Sequence, residues 1–137
     1  MDARTPRDFF EVITRAVFQS GFSWPVIAAK WDGFRAAFAD FEPAVVADFT
    51  PGDVDRLCAD ERIVRNRRKI EGTVHNAGVL LDLDERHGGF RSYLRAHGGF
   101  EGVFADLPRR FKFLGPLGSY YLLYAVSYTH LTLPTKA

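Results

Sequence analysis

FFEVITRAVFQSGFSWPVIAAKWDGFRAAF, residues 9–38, reads as a helix, a turn and a second helical segment. Phe9, Ile13, Ala16, Val17 and Ser20 share one face at the 3.6-residue period, and Gly21 supplies a stop. Just upstream, Thr5, Pro6 and Asp8 form a helix start, with a hydroxyl at the N-cap, proline in the first position and an acid in the third. Downstream, Ser23 is placed to cap the next helix, which has Pro25 in its first turn and runs through Lys30 toward Phe38.

The same grammar continues along the chain. Thr50, Pro51 and Asp53 repeat the capping pattern and open a short helix to about Ala59. A long helix follows from about Arg67, where Ile70, Val74, Ala77 and Leu81 recur at helical spacing, and Gly88 with Gly89 ends it. A shorter segment over residues 90–96 stops at Gly98 and Gly99. From Gly102 the pattern predicts a helix to Arg110, a turn over 111–115 and a helix opening near Pro116, the outline of a helix–hairpin–helix. No segment shows sustained two-residue alternation, so the expected fold class is all-α.

The chain has 137 residues, about one domain's worth, and can bury roughly two-thirds of its unfolded surface. Its composition is 47% apolar and 15% aromatic, which excludes disorder and supplies core volume. No uncharged apolar run approaches the ~20 residues that span a bilayer, so no membrane partner is expected. The first residues, MDARTPRD, lack an apolar signal region, and a cytoplasmic location is expected. Cys58 is the single cysteine, which leaves no internal disulfide or thiolate zinc site and predicts a buried structural side chain. A net charge of +1 hides two basic groups: Arg62, Arg65, Arg67, Arg68 and Lys69, opposed by Glu61, and Arg109, Arg110 and Lys112. Such groups serve either as a solvated face or as phosphate contacts.

Three blocks, in order, resemble the 3-methyladenine DNA glycosylase I family. They are residues 9–38, residues 63–77 (IVRNRRKIEGTVHNA) and residues 111–125 (FKFLGPLGSYYLLYA). The resemblance implies a helix–hairpin–helix glycosylase fold over residues 1–125, shorter than the family at both ends. It also implies base-excision repair: duplex DNA is bound, an alkylated purine such as 3-methyladenine is flipped out, and its N-glycosidic bond is hydrolysed. No cofactor, metal or obligate protein partner is implied. By the resemblance, Trp24 matches the family's pocket tryptophan; Trp31 is expected in the core, where a large aromatic of a helical domain usually sits. Gln19, Ser20 and Ser23 surround the same turn and serve either a base edge or capping. For the DNA backbone the matching positions are Arg65, Arg67, Lys69 and Lys112. Gly115 and Gly118 leave room for close approach, beside the free amides that open the last helix.

One family residue is absent. The glutamate that the family carries eight positions before its turn tryptophan is Ala16 here, so the catalytic group is unassigned. Among other acids, Asp8 and Glu11 are expected on the polar side of the first helix, and Asp32, Asp40 and Glu71 have no spacing that puts them in a pocket. No aspartate follows Gly115 to act after the hairpin. A divergent glycosylase and a catalytically inactive DNA-binding module both remain open. Residues 126–135, VSYTHLTLPT, resemble a translated sequencing adapter. Residues 126–137 are therefore expected to be a non-native tail, and His130 is set aside as a ligand.

Overall fold

A computed structural model describes residues 5–21 and 23–126, and every regular element among them is a helix. Helix α1, Pro6–Gln19, starts as the sequence predicts: the Thr5 hydroxyl accepts from the Asp8 amide at 3.2 Å and the Asp8 carboxylate accepts from the Thr5 amide. Such a reciprocal cap contributes about 1 kcal/mol. Its apolar residues are not confined to one stripe. Phe9, Phe10, Ile13, Val17 and Phe18 are all buried, which makes α1 a central helix packed against α6 and α9.

Beyond Gly21 the structure departs from the sequence expectation. Ser23 sits at the N-cap of α2, Trp24–Ala29, but its side chain makes no capping bond. The helix breaks at Lys30, and α3, Trp31–Ala37, begins anew with the Phe34 amide bonded to the Lys30 carbonyl. The break turns Trp31 inward, where its ring lies 5.1 Å from both Phe34 and Phe41. Ala39, Asp40 and Phe41 then take positive φ in succession, a left-handed turn costing roughly 1–2 kcal/mol per residue. Full burial of Phe41, worth about 2–3 kcal/mol, offsets part of that cost.

The chain continues through α4, Pro43–Val46, and α5, Pro51–Cys58, whose Thr50–Asp53 capping box forms as predicted. Accepting the Thr50 amide holds the Asp53 carboxyl below its ordinary range. Helix α6, Arg67–His87, is capped by the Asn66 side chain and closed by Gly88 at φ 70°, a conformation that glycine adopts without strain. It packs against α1, α4, α5 and α7, Phe90–Arg95. The last two helices, α8, Phe100–Arg110, and α9, Pro116–Ala125, flank the turn and complete the predicted hairpin.

The hairpin is clamped to α6 by one buried side chain. Asn76, with no exposed surface, donates Nδ2–H to the Lys112 carbonyl at 3.0 Å and accepts the Lys112 amide on Oδ1 at 2.8 Å. One turn earlier, Gly72 makes room for the Phe113 ring, since a Cβ there would lie 2.8 Å from Phe113 Cδ2. Phe113 itself holds φ at 61°, a strained value for an aromatic residue. Across the turn, the Ser119 hydroxyl donates to the Leu114 carbonyl at 3.3 Å.

Two expectations need correction. Glu11 faces the interior, not the polar side: it is 8% exposed because Trp31 and two arginines surround its carboxylate. Cys58 is only half buried at the end of α5. Val126, the first residue of the expected tail, is buried in the core, while residues 127–137 with His130 lie outside the described residues. Among the described residues no helix is long and apolar enough to cross a membrane.

Candidate functional site

The last turn of α1 and the start of α9 face each other across a cleft of about 350 Å³. Ala16, Gln19, Ser20 and Gly21 form one wall; Gly115, Leu117, Gly118 and Tyr121 form the other, with Phe113 at the edge. Ala16 is 4% exposed, and a Cβ at Gly118 would lie 3.6 Å from its methyl, in van der Waals contact. Of the expected site residues, Ala16, Gln19, Ser20, Gly115 and Gly118 therefore converge here. Gln19 is half-buried, whereas Ser20 and Gly115 are exposed.

Trp24 is half-buried and is not part of the cleft lining. Its ring lies 6.2 Å from Trp31, and the Arg15 guanidinium covers both indoles at 4.9 and 5.1 Å. Stacking of this kind contributes about 0.5–2 kcal/mol per contact. Trp31 is a core residue, as expected, and its Nε1–H donates to Glu11 at 2.8 Å. Glu11 also accepts from Arg35 at 3.0 Å and pairs with Arg15 at 3.7 Å. Phe22, between Gly21 and Ser23, lies outside the described residues.

The basic positions divide. Lys69 reaches the rim, where its ammonium donates to the Ser20 carbonyl, and burial lowers its pKa. Lys112 is exposed on the hairpin turn, and Arg65 is exposed in the loop before α6. Arg67 instead joins α6 to α5, pairing with Asp55 at 2.6 Å and Glu71 at 3.8 Å. At the start of α9, Pro116 has no N–H, and the Leu117 and Gly118 amides precede the first helical bond, from Ser119 to the Gly115 carbonyl, so the turn leaves two amide donors without a helical acceptor.

Sequence reasoning did not assign four further residues. Arg68 lies over the Phe113 ring at 5.7 Å. His75 sits near Lys112, and burial together with that cation lowers its pKa. Arg15 and Tyr121 are joined by a hydrogen bond at 3.3 Å between α1 and α9. Arg68 was visible as part of the basic run; the Arg15–Tyr121 pair spans 106 positions and has no local signal. Among the described residues no group of three His, Cys, Asp or Glu converges as a metal site.

The profile of the family described as methyladenine glycosylase matches residues 2–103. DNA-3-methyladenine glycosylase 1 of Escherichia coli (strain K12) is 35% identical over 79 residues, covering 58% of this chain and 42% of that protein. DNA-3-methyladenine glycosylase of Haemophilus influenzae is 28% identical over 99 residues, 72% of this chain and 54% of that protein. The chain thus spans about half the length of the curated relatives it matches. Among solved structures, 3-methyladenine DNA glycosylase I from Staphylococcus aureus superposes with a TM-score of 0.80 at 28% identity, covering 92% of this chain and 78% of that one. A tyrosine-to-phenylalanine variant of 3-methyladenine DNA glycosylase I in complex with 3-methyladenine superposes at 0.81 with 27% identity, covering 92% and 79%.

Proposed function

This chain belongs to the methyladenine glycosylase family, and we propose that it is a base-excision repair enzyme that removes alkylated purines from duplex DNA in the cytoplasm. The observation that carries the reading is the cleft between α1 and the hairpin, which is within the size range of small-molecule pockets and opens beside the turn's free amides. In this reading the Leu117 and Gly118 amides, Lys112, Arg65 and Lys69 hold DNA phosphates, and the cleft receives the flipped base between Ala16 and Tyr121. Flipping costs a few kcal/mol, which contacts in the cleft must offset. Attack of water at the sugar carbon breaks the N-glycosidic bond, and the base departs with the bonding electrons. Alkylation that leaves the base positively charged makes it a good leaving group, so the reaction needs little general-acid assistance. Arg67 holds α5 to α6, and its place in the interface is secondary.

Trp24 supports the cleft indirectly, by fixing Arg15 behind Tyr121. Trp24→Ala is expected to lower base release about a hundredfold, the effect of a small misplacement in a pocket, with undamaged-duplex binding nearly intact. Mass-resolved base release and a duplex titration measure the two quantities; equal loss of both would make Trp24 purely a folding residue. Phosphate contact has its own signature. Lys112→Gln should reduce the slope of log affinity against log salt by about one unit, whereas Arg62→Gln, whose guanidinium is bonded to Asp60 at 2.8 Å, should not.

Ala16 favours a second reading, a DNA-binding module without base chemistry. Incubation with alkylated duplex, followed by mass analysis of released bases against an unalkylated control, decides between them. Released alkylpurine supports the enzyme; tight, salt-dependent binding with no release supports the module.

A further inference from the structure

Where the hairpin crosses α6, a second groove begins that shares no lining residue with the base cleft. The crossing is tight: a Cβ at Gly72 would lie 3.5 Å from Lys112 Cβ, and Asn76 bonds both backbone groups of Lys112. His75 stands between these two positions in the chain and is exposed. From there α6 and the end of α8 bound a groove of about 520 Å³, lined by His75, Val79 and Asp82 from the one and Arg109 and Arg110 from the other.

The charges around this groove are of two kinds. Arg110 is neutralised by Asp106 at 3.0 Å, a carboxylate that also accepts from Tyr93 and lies 3.3 Å from His97. Asp82 is engaged by Arg86 at 3.0 Å, two turns of α6 beyond His75. By contrast, Arg68, Arg109 and Lys112 are exposed and have no carboxylate partner among the described residues. Arg68, Gly72, His75 and Val79 recur at helical spacing, on one face of α6. Arg68, Lys112 at Gly72, and His75 therefore follow one another along roughly 10 Å of helix. Each strand of a duplex carries a phosphate per about 3.4 Å of axis, so a strip of this length faces about three.

We propose that this strip and groove form a second phosphate-binding surface, continuous with the hairpin turn, where Arg68, Lys112 and Arg109 pair with backbone phosphates and His75 donates to one as an imidazolium. The proposal rests on the DNA-binding reading above and enlarges its footprint. His75 makes the surface sensitive to pH. In the free chain, burial and the Lys112 charge hold its pKa below the ordinary 6.5. The other charged groups around it are Arg68, Glu71 and Asp82 on its own helix and Arg109 and Arg110 on α8; Glu71 is paired with Arg67 at 3.8 Å. A phosphate seated against Lys112 offsets that charge and adds a negative one, so the pKa of His75 rises on binding. A group with a higher pKa in the complex takes up a proton. The affinity it contributes is full below the free value and lost as pH rises through the bound one.

The test is titration of the full chain with undamaged duplex over a range of salt at pH 5.5 and pH 7.5, read by fluorescence anisotropy. Affinity is expected to be about fivefold higher at the lower pH, and His75→Gln should remove most of that difference. His75→Lys, which fixes the charge, should bind at pH 7.5 about as tightly as the parent chain does at pH 5.5. His87→Gln, at the end of the same helix, should change neither value. Arg109→Gln is expected to lower the slope of log affinity against log salt by about one unit, on top of the unit lost in Lys112→Gln. A slope that falls for Lys112→Gln but not for Arg109→Gln would overturn the proposal and leave the hairpin contacts standing. Equal affinity at the two pH values, or a difference that survives His75→Gln, would overturn it as well. Parent binding indifferent to salt would reject this surface and the hairpin contacts together. Base release is a separate readout: its absence, with slopes and pH dependence as expected, would reject the enzyme reading and keep the surface.

Discussion

Asn76→Ala is expected to lower folding stability by about 2–3 kcal/mol and the melting temperature by roughly 10 °C. The side chain is fully buried and makes both hydrogen bonds that tie the Lys112 backbone to α6. Alanine removes both and strands a donor and an acceptor next to an apolar helix face, the costly half of the hydrogen-bond balance. Function falls with stability, because Lys112 leads directly into the turn that presents the Leu117 and Gly118 amides. Duplex affinity is expected to drop about tenfold even at temperatures where the variant is folded. Asn76→Asp keeps an oxygen for the Lys112 amide but sets a second one against the Lys112 carbonyl, and should be no better than alanine. Urea denaturation measures the first effect and a duplex titration the second. A loss below about 1 kcal/mol would mean that the hairpin is held chiefly by Phe113 against Gly72.

Ala16→Glu should have the largest effect on chemistry. The position is 4% exposed and lines the cleft, so a longer side chain there must extend into the space assigned to the base. A carboxylate would supply the fixed acceptor that the cleft lacks and a negative charge for a cationic base. Release of 3-methyladenine is expected to rise about ten- to a hundredfold. The cost is desolvation, about 1–3 kcal/mol of stability. Burial raises the carboxyl's folded pKa, so the folded state binds the proton more tightly than the unfolded one. The charge-related cost is then absent below the unfolded value, about 4.3, and grows as pH rises through the folded one. Stability measured by urea at pH 5 and pH 7.5 should fall more for this variant than for the parent chain. If base release were unchanged while stability fell in this way, the carboxylate would be buried but idle, and Ala16 would not face the reacting base.

What lay in the sequence was local. Thr5 with Asp8, Thr50 with Asp53, Gly88 after α6 and the turn before Pro116 each specify their structure through neighbours a few positions away, and each forms as read. The three blocks placed these pieces in a family, and it was the resemblance that marked Ala16 as the position where the family carries a glutamate. Ser23 failed as a cap and the second helix broke at Lys30, because Trp31 satisfies its indole on Glu11, twenty positions back. Glu11 looked like a surface residue for the same reason, since its partners come from α3 and from the next turn of α1.

The site shows the division most clearly. Sequence determined the helices and the hairpin, and it put an alanine where the cleft wall has a methyl. Only tertiary packing decided that Trp24 lies under the Arg15 guanidinium and outside the cleft lining, that Arg67 is held by Asp55, and that Arg15 donates to Tyr121 Oη across α1 and α9. Hydrogen-bond sense at a pocket wall depends on which donor stands behind each oxygen, and that donor is brought by another helix.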